Sequence, residues 1–181
     1  MNAEEFLRFH VEKIIKESEL QAKFKLFFPD TEYRPSLIPT ENGNETLKRK
    51  QVEGLGVFLY YSRQGKRQFH EYLLDYITDE LKKQGIRFKR SRKNIEADLE
   101  IGRIRIELEV RSNPSKQPEN RSNLIKRLRR YPETTIIIVP NKKDKTTYLH
   151  SKAREIIISN NRFLTIPEFL QKIRYLQDHI Y

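Results

Sequence analysis

The residues of this chain best placed for chemistry are five carboxylates on two adjoining segments. Ile95-Glu96-Ala97-Asp98-Leu99-Glu100-Ile101 alternates apolar and acidic residues with a period of two, and Arg103 to Arg111 alternates in the same way. Gly102-Arg103 lies between them as a tight turn, so the two segments are expected to form an antiparallel hairpin. Such a turn pairs Ile101 with Ile104 and sets Glu100 opposite Arg105, Asp98 opposite Glu107, and Glu96 opposite Glu109. The first charged pair is what a solvated hairpin selects. The next two are like charges face to face, which destabilises a sheet unless a proton or a cation sits between them. Oxygen donors with no His or Cys beside them favour Mg²⁺ or Mn²⁺ over zinc. The bland alternative is an acidic face that is merely solvated and paired with nearby basic side chains.

Other chemistry finds little footing. His10, His70, His150 and His179 are scattered without ligand spacing, and there is neither a glycine-rich phosphate loop nor a nucleophile elbow. Tyr60-Tyr61 resembles a tyrosine nucleophile pair only superficially; with no His-rich metal motif, both tyrosines are expected in the core. The absence of cysteine excludes disulfides and thiolate metal sites and points to a cytoplasmic setting.

The 181 residues carry 36 Lys and Arg against 25 Asp and Glu, a net charge of +11. Its distribution separates a polyanion partner from simple solubility. Residues 82–93 contain Lys82, Lys83, Arg87, Lys89, Arg90, Arg92 and Lys93 with no acidic residue, and Arg121, Lys126, Arg127, Arg129 and Arg130 form a second group. Clusters of this kind point to nucleic acid, with Lys89, Arg90, Arg92, Lys93, Arg121, Lys126, Arg127 and Arg130 as candidate phosphate contacts. No wide apolar helical face accompanies them and no apolar run approaches roughly 20 residues, so no membrane partner is expected.

The elements that must position the hairpin follow from periodicity. Residues 3–22 read as helix on the stripe Leu7, Val11, Ile14 and Ile15, and 24–39 as irregular, broken by Pro29, Pro35 and Pro39. Asn42-Gly43-Asn44 marks a turn and a candidate boundary at 40–46, while 47–61 fits helix or strand. Phe69, Tyr72, Leu73, Tyr76, Ile77 and Leu81 form a helix closed at Gly85. A short strand at Ile86–Lys89, the hairpin, a helix at 119–131 and a buried strand at Thr134–Val139 follow. A helix at 145–155, a strand at Ile156–Ile158 and a final helix capped by Thr165 with Pro167 in its first turn complete the order. The fold class is α/β, a mixed central sheet flanked by helices over residues 63–181, preceded by a mostly helical extension, 1–62, for assembly or DNA contact.

Asp98-Leu99-Glu100-Ile101, the glycine turn and Ile106-Glu107-Leu108-Glu109-Val110-Arg111-Ser112 resemble the PD-(D/E)XK nuclease superfamily, closest to archaeal Holliday junction resolvases and restriction endonucleases. The resemblance covers about residues 65–140 and implies an αβββαβ core. It implies a metal-dependent DNA endonuclease that hydrolyses phosphodiesters in double-stranded or branched DNA with Mg²⁺, or Mn²⁺ as substitute, acting as a homodimer. In one register Asp98 and Glu107 hold the metal and Glu109 takes the usual lysine position. In the other, Glu109-Val110-Arg111 supplies the motif and Arg111 replaces the lysine; arginine stabilises charge but is a poor base. Glu71 on the preceding helix is a further candidate ligand, though His70 falls better on the helical alignment. Ala97 stands in place of the usual proline. The missing lysine leaves open a catalytically inactive, nuclease-like DNA-binding protein.

Overall fold

The computed structural model describes residues 1–61, 65–91, 97–110, 134–150 and 162–180. It divides into two compact units, Met1–Tyr72 and Leu73–Tyr181.

In the first unit, helix α1 (Ala3–Val11) opens on a reciprocal cap. Asn2 accepts from the Glu5 N–H at 2.9 Å while the Glu5 carboxylate accepts from the Asn2 N–H at 3.0 Å. The expected helix over 3–22 is broken after Val11, where Ile15–Lys16 form a short strand, β1, before helix α2 (Glu17–Phe27). β1 is drawn into a sheet by pairing Ile15 with Leu59. Asn42-Gly43-Asn44 is not a domain boundary but the turn between β2 (Glu41–Asn42) and β3 (Glu45–Val52), with Gly43 at φ 59. β3 continues into β4 (Gly56–Tyr61), giving an antiparallel order β1-β4-β3-β2. The extension is therefore half sheet rather than mostly helical. Lys48, Arg49 and Lys50 disguise the alternation of β3, yet Lys50 is buried opposite Phe58. Phe6, Leu7, Val11, Leu20, Phe24, Leu59 and Tyr61 close the core against α1 and α2. Phe58 and Tyr60 instead pack on Phe69 near the start of helix α3 (Gly65–Lys83), with ring centroids 5.5 and 5.2 Å apart. Both tyrosines are core residues as expected, and Tyr61 donates to the Pro39 carbonyl at 2.8 Å.

In the second unit, α3 ends as anticipated. Gly85 at φ 71 donates to the Lys82 carbonyl and Ile86 to the Leu81 carbonyl, both at 2.9 Å, with Leu81 and Ile86 buried. The strand expected at Ile86–Lys89 forms slightly later, as β5 (Lys89–Arg90). β6 (Leu99–Ile101), β7 (Ile104–Leu108), β8 (Thr135–Val139) and β9 (Phe163–Thr165) complete a sheet in the order β5-β6-β7-β8-β9. β5, β6 and β7 are an antiparallel meander, and β7, β8 and β9 run parallel. The α/β class with a mixed sheet is borne out. All five residues of β8 are buried, as a central parallel strand requires. Helix α4 (Lys142–His150) is capped by Asn141, which accepts from the Asp144 N–H at 2.9 Å. Helix α5 (Ile166–Ile180) is capped from its third residue. Glu168 accepts the Thr165 N–H at 2.9 Å and Lys145 Nζ at 2.8 Å. The helix expected at 119–131 and the strand at Ile156–Ile158 lie outside the described residues, whereas β9 was hidden in the lead to α5.

Candidate active site

The hairpin register is the expected one: Ile101 faces Ile104, Glu100 faces Arg105 and Leu99 faces Ile106. β5 extends it, with Lys89 opposite Glu100. One row across the meander is thus a ladder of alternating charge, Arg105 to Glu100 at 3.3 Å and Glu100 to Lys89 at 3.9 Å. Two residues along β7 from Arg105, strand alternation puts Glu107 on the same face, and Glu107 is only 5% exposed.

At Asp98 the backbone ladder stops. An antiparallel continuation would give the Leu108 N–H to a main-chain carbonyl of β6. Instead Asp98 Oδ2 accepts it at 2.8 Å, while the Asp98 carbonyl accepts from the Ser91 N–H at 3.2 Å. A short acidic side chain has taken over a strand's hydrogen bond, which is why β6 begins at Leu99 and does not take in Ala97 and Asp98. The exchange carries the Asp98 carboxylate across to β7, against the residue that follows Glu107. Glu109, half-buried, stands one row further on and donates its N–H to the Ile138 carbonyl at 2.8 Å. Glu96, its expected partner, and Arg111 lie outside the described residues.

Among the described residues no group of three or more Asp, Glu or His side chains could hold a metal ion, so the expected set Asp98, Glu107, Glu109 and Glu71 is not brought together as a set. Glu71 is half exposed on α3 beside His70, 3.7 Å away, and belongs to the other unit. The oxygen donors of Asp98 and Glu107 are of the type that suits a hard cation. Two carboxylates are a common protein contribution to Mg²⁺, which keeps several waters and takes further oxygens from a phosphate.

No family model, curated protein or solved structure matches the chain.

Among the expected phosphate contacts, Lys89 is 72% exposed, whereas Arg90 is bound by Asp75 of α3. That partner escaped the sequence reading because Asp75 sits off the helical stripe. Arg92, Lys93, Arg121, Lys126, Arg127 and Arg130 lie outside the described residues. The reading also missed Asp144, a carboxylate buried in the first turn of α4; the Asn141-x-x-Asp144 capping pattern was its signal. No helix among the described residues is long and apolar enough to cross a membrane.

Proposed function

We propose that the chain is a Mg²⁺-dependent DNA endonuclease of the cytoplasm, working as a homodimer on double-stranded or branched DNA, with its acidic pair Asp98 and Glu107 at the hairpin. The observation that carries this reading is the Asp98 carboxylate placed against Leu108, next to the buried Glu107. The element order supports it: a helix, a three-stranded meander and a strand parallel to the third agree with the αβββαβ order that the nuclease resemblance implies, whose second helix lies outside the described residues. So does the charge. Residues 73–181 hold 24 Lys and Arg against 14 Asp and Glu.

On this reading Asp98 and Glu107 hold the cation, which when bound polarises the scissile phosphate and lowers the pKa of water. The hydrogen bond from Leu108 fixes the Asp98 carboxylate so that no side-chain ordering is left to the moment of binding. Glu109, or Arg111 in the alternative register, orients the attacking water or offsets charge that develops on the phosphate. Lys89 binds the backbone without reading sequence.

The test is incubation of supercoiled and branched DNA with the protein, with and without Mg²⁺ or Mn²⁺. Cleavage that requires the cation and disappears in Asp98→Ala and Glu107→Ala supports the enzyme. Binding without cleavage supports the second reading, an inactive nuclease-like DNA-binding protein, which is favoured by a glutamate at position 109 where the resemblance places lysine.

A further inference from the structure

Cations are disfavoured at the start of a helix, because the N-terminus already carries the positive end of the peptide dipoles. Yet α4 begins Lys142-Lys143-Asp144-Lys145, three cations in the first turn with one carboxylate. Packing and capping account for Asp144, which is buried and whose N–H is taken by the Asn141 side chain at 2.9 Å. They give no account of Lys143, which is exposed and makes no ion pair among the described residues. The amides of Lys142 and Lys143, the first two of the helix, have no acceptor within it.

The same sheet edge holds a second helix start. β8 and β9 are parallel with Val139 beside Thr165, so each delivers a helix N-terminus at its carboxyl end, α4 after Asn141 and α5 after Thr165. Lys145 of α4 and the Thr165 N–H donate to one oxygen of Glu168, at 2.8 and 2.9 Å, and this ties the two first turns together. Thr165 is 0% exposed, and its hydroxyl has no hydrogen-bond partner. A capping threonine ordinarily accepts from the third residue of its own helix. Here the Glu168 carboxylate makes the capping bond, and the hydroxyl is left over. Such an enclosed, unsatisfied group calls for an explanation, and a ligand supplies one. Parallel register also sends Thr165 to the face of the sheet that carries Glu107 and Glu109.

Two carboxylates share this end with the three lysines. Asp144 is buried, and Glu168 is held by Lys145 and the Thr165 N–H, so neither is presented to an arriving anion. The Lys143 ammonium and the first amides of α4 are presented, and all of them favour negative charge. We infer that the first turn of α4, with Lys143 and the Thr165 hydroxyl, binds a phosphate of the DNA strand whose cleavage is assigned to Asp98 and Glu107. Two strand spacings, roughly 10 Å, separate Glu109 from Thr165, which is about three nucleotides along one strand. The inference rests on the nuclease reading for the source of the phosphate, and its readout is binding, so the two can fail separately.

The full chain is titrated in EDTA, where cation-dependent cutting is silent, against a labelled DNA duplex over a salt series, with anisotropy as the readout. Lys143→Ala is expected to lower the slope of log affinity against log salt by about one. Thr165→Val is expected to weaken binding about tenfold at fixed salt. Its melting temperature should match or exceed that of the wild type, because the lost hydroxyl is buried and no protein group satisfies it. Thr165→Ser, which keeps the hydroxyl, should bind as the wild type does. Should Thr165→Val fail to fold, amide spectra of the wild-type chain decide. DNA is expected to shift the Lys143 and Asp144 amides, and inorganic phosphate to shift the same two at higher concentration. The proposal is overturned by an unchanged salt slope in Lys143→Ala, or by a folded Thr165→Val that binds as tightly as the wild type. Amides that respond to inorganic phosphate and not to DNA overturn it too. A chain that binds DNA through this site without cutting it removes the nuclease reading alone, and a chain that cuts while both variants bind normally removes this inference alone.

Discussion

Asp98 has two roles in this account, and one substitution series separates them. Its Oδ2 is the acceptor for the Leu108 N–H at 2.8 Å, at a residue that is 5% exposed. Asp98→Ala leaves that donor buried without an acceptor, which costs about 1–3 kcal/mol. Asp98→Asn keeps a carbonyl oxygen of the same reach and loses only the charge assistance, about 1 kcal/mol or less. Urea denaturation should rank the wild type above Asn and Asn above Ala, with the m-value unchanged. Cleavage should follow a different order. Both variants lose the negative charge that the proposed function assigns to holding the cation, so on that proposal both are expected to lose Mg²⁺-dependent cutting, although Asn stays well folded. An Asp98→Asn protein that cuts DNA at the wild-type rate would reduce Asp98 to a backbone cap. An Asp98→Ala protein as stable as the wild type would remove the cap as well.

The remaining expectations are briefer. Glu107→Gln, at the buried neighbour, should abolish cation-dependent cutting while the far-ultraviolet dichroism is retained; cutting at the wild-type rate would exclude Glu107 from the site. Gly65→Ala should destabilise the first unit by about 1–3 kcal/mol, because its Cβ would lie 2.5 Å from Tyr60, whose ring is stacked on Phe69; an unchanged melting temperature would show that Tyr60 can move. Burial by itself would raise the Glu168 carboxyl, but the hydrogen bonds from Lys145 and the Thr165 N–H and the charges of Lys145 and Lys142 outweigh it and hold the group below its ordinary value of 4.5. Its contribution is therefore complete above that value and lost as the pH falls through the lower folded-state value. Glu168→Gln should flatten the acid limb of a stability–pH curve, and an identical limb would contradict the capping assignment. Lys89→Ala should lower the slope of log affinity for DNA against log salt by about one, with no change in sequence preference; an unchanged slope would remove Lys89 from the DNA contact.

What could be read from the residues alone was whatever rested on strict alternation or on a terminal signal. The Gly102 turn fixed the hairpin register, because a slip of one residue would have turned Leu99 and Ile106 out of the core. Gly85 and Thr165 marked two helix ends, although at the second the Glu168 carboxylate makes the capping bond and the Thr165 hydroxyl does not. Non-local effects were invisible. β1 exists only because Leu59 is there to pair with Ile15, and β3 is a strand despite three consecutive cationic residues because it pairs along its length with β4, with Lys50 buried opposite Phe58. The Asp98 side chain replacing a ladder bond could not be foreseen either, since alternation carries no information on whether a carboxylate bonds to backbone. The same limit applies to Arg90, whose partner Asp75 is distant in sequence.

The central claim is that Asp98 and Glu107 together hold a divalent cation. A crystal of the protein soaked in Mn²⁺ and measured for anomalous scattering tests it most directly. The account predicts a peak in contact with carboxylate oxygens of both residues, lost in Glu107→Gln. Saturating Mn²⁺ that leaves no peak between them, or a peak held by other residues only, would contradict it.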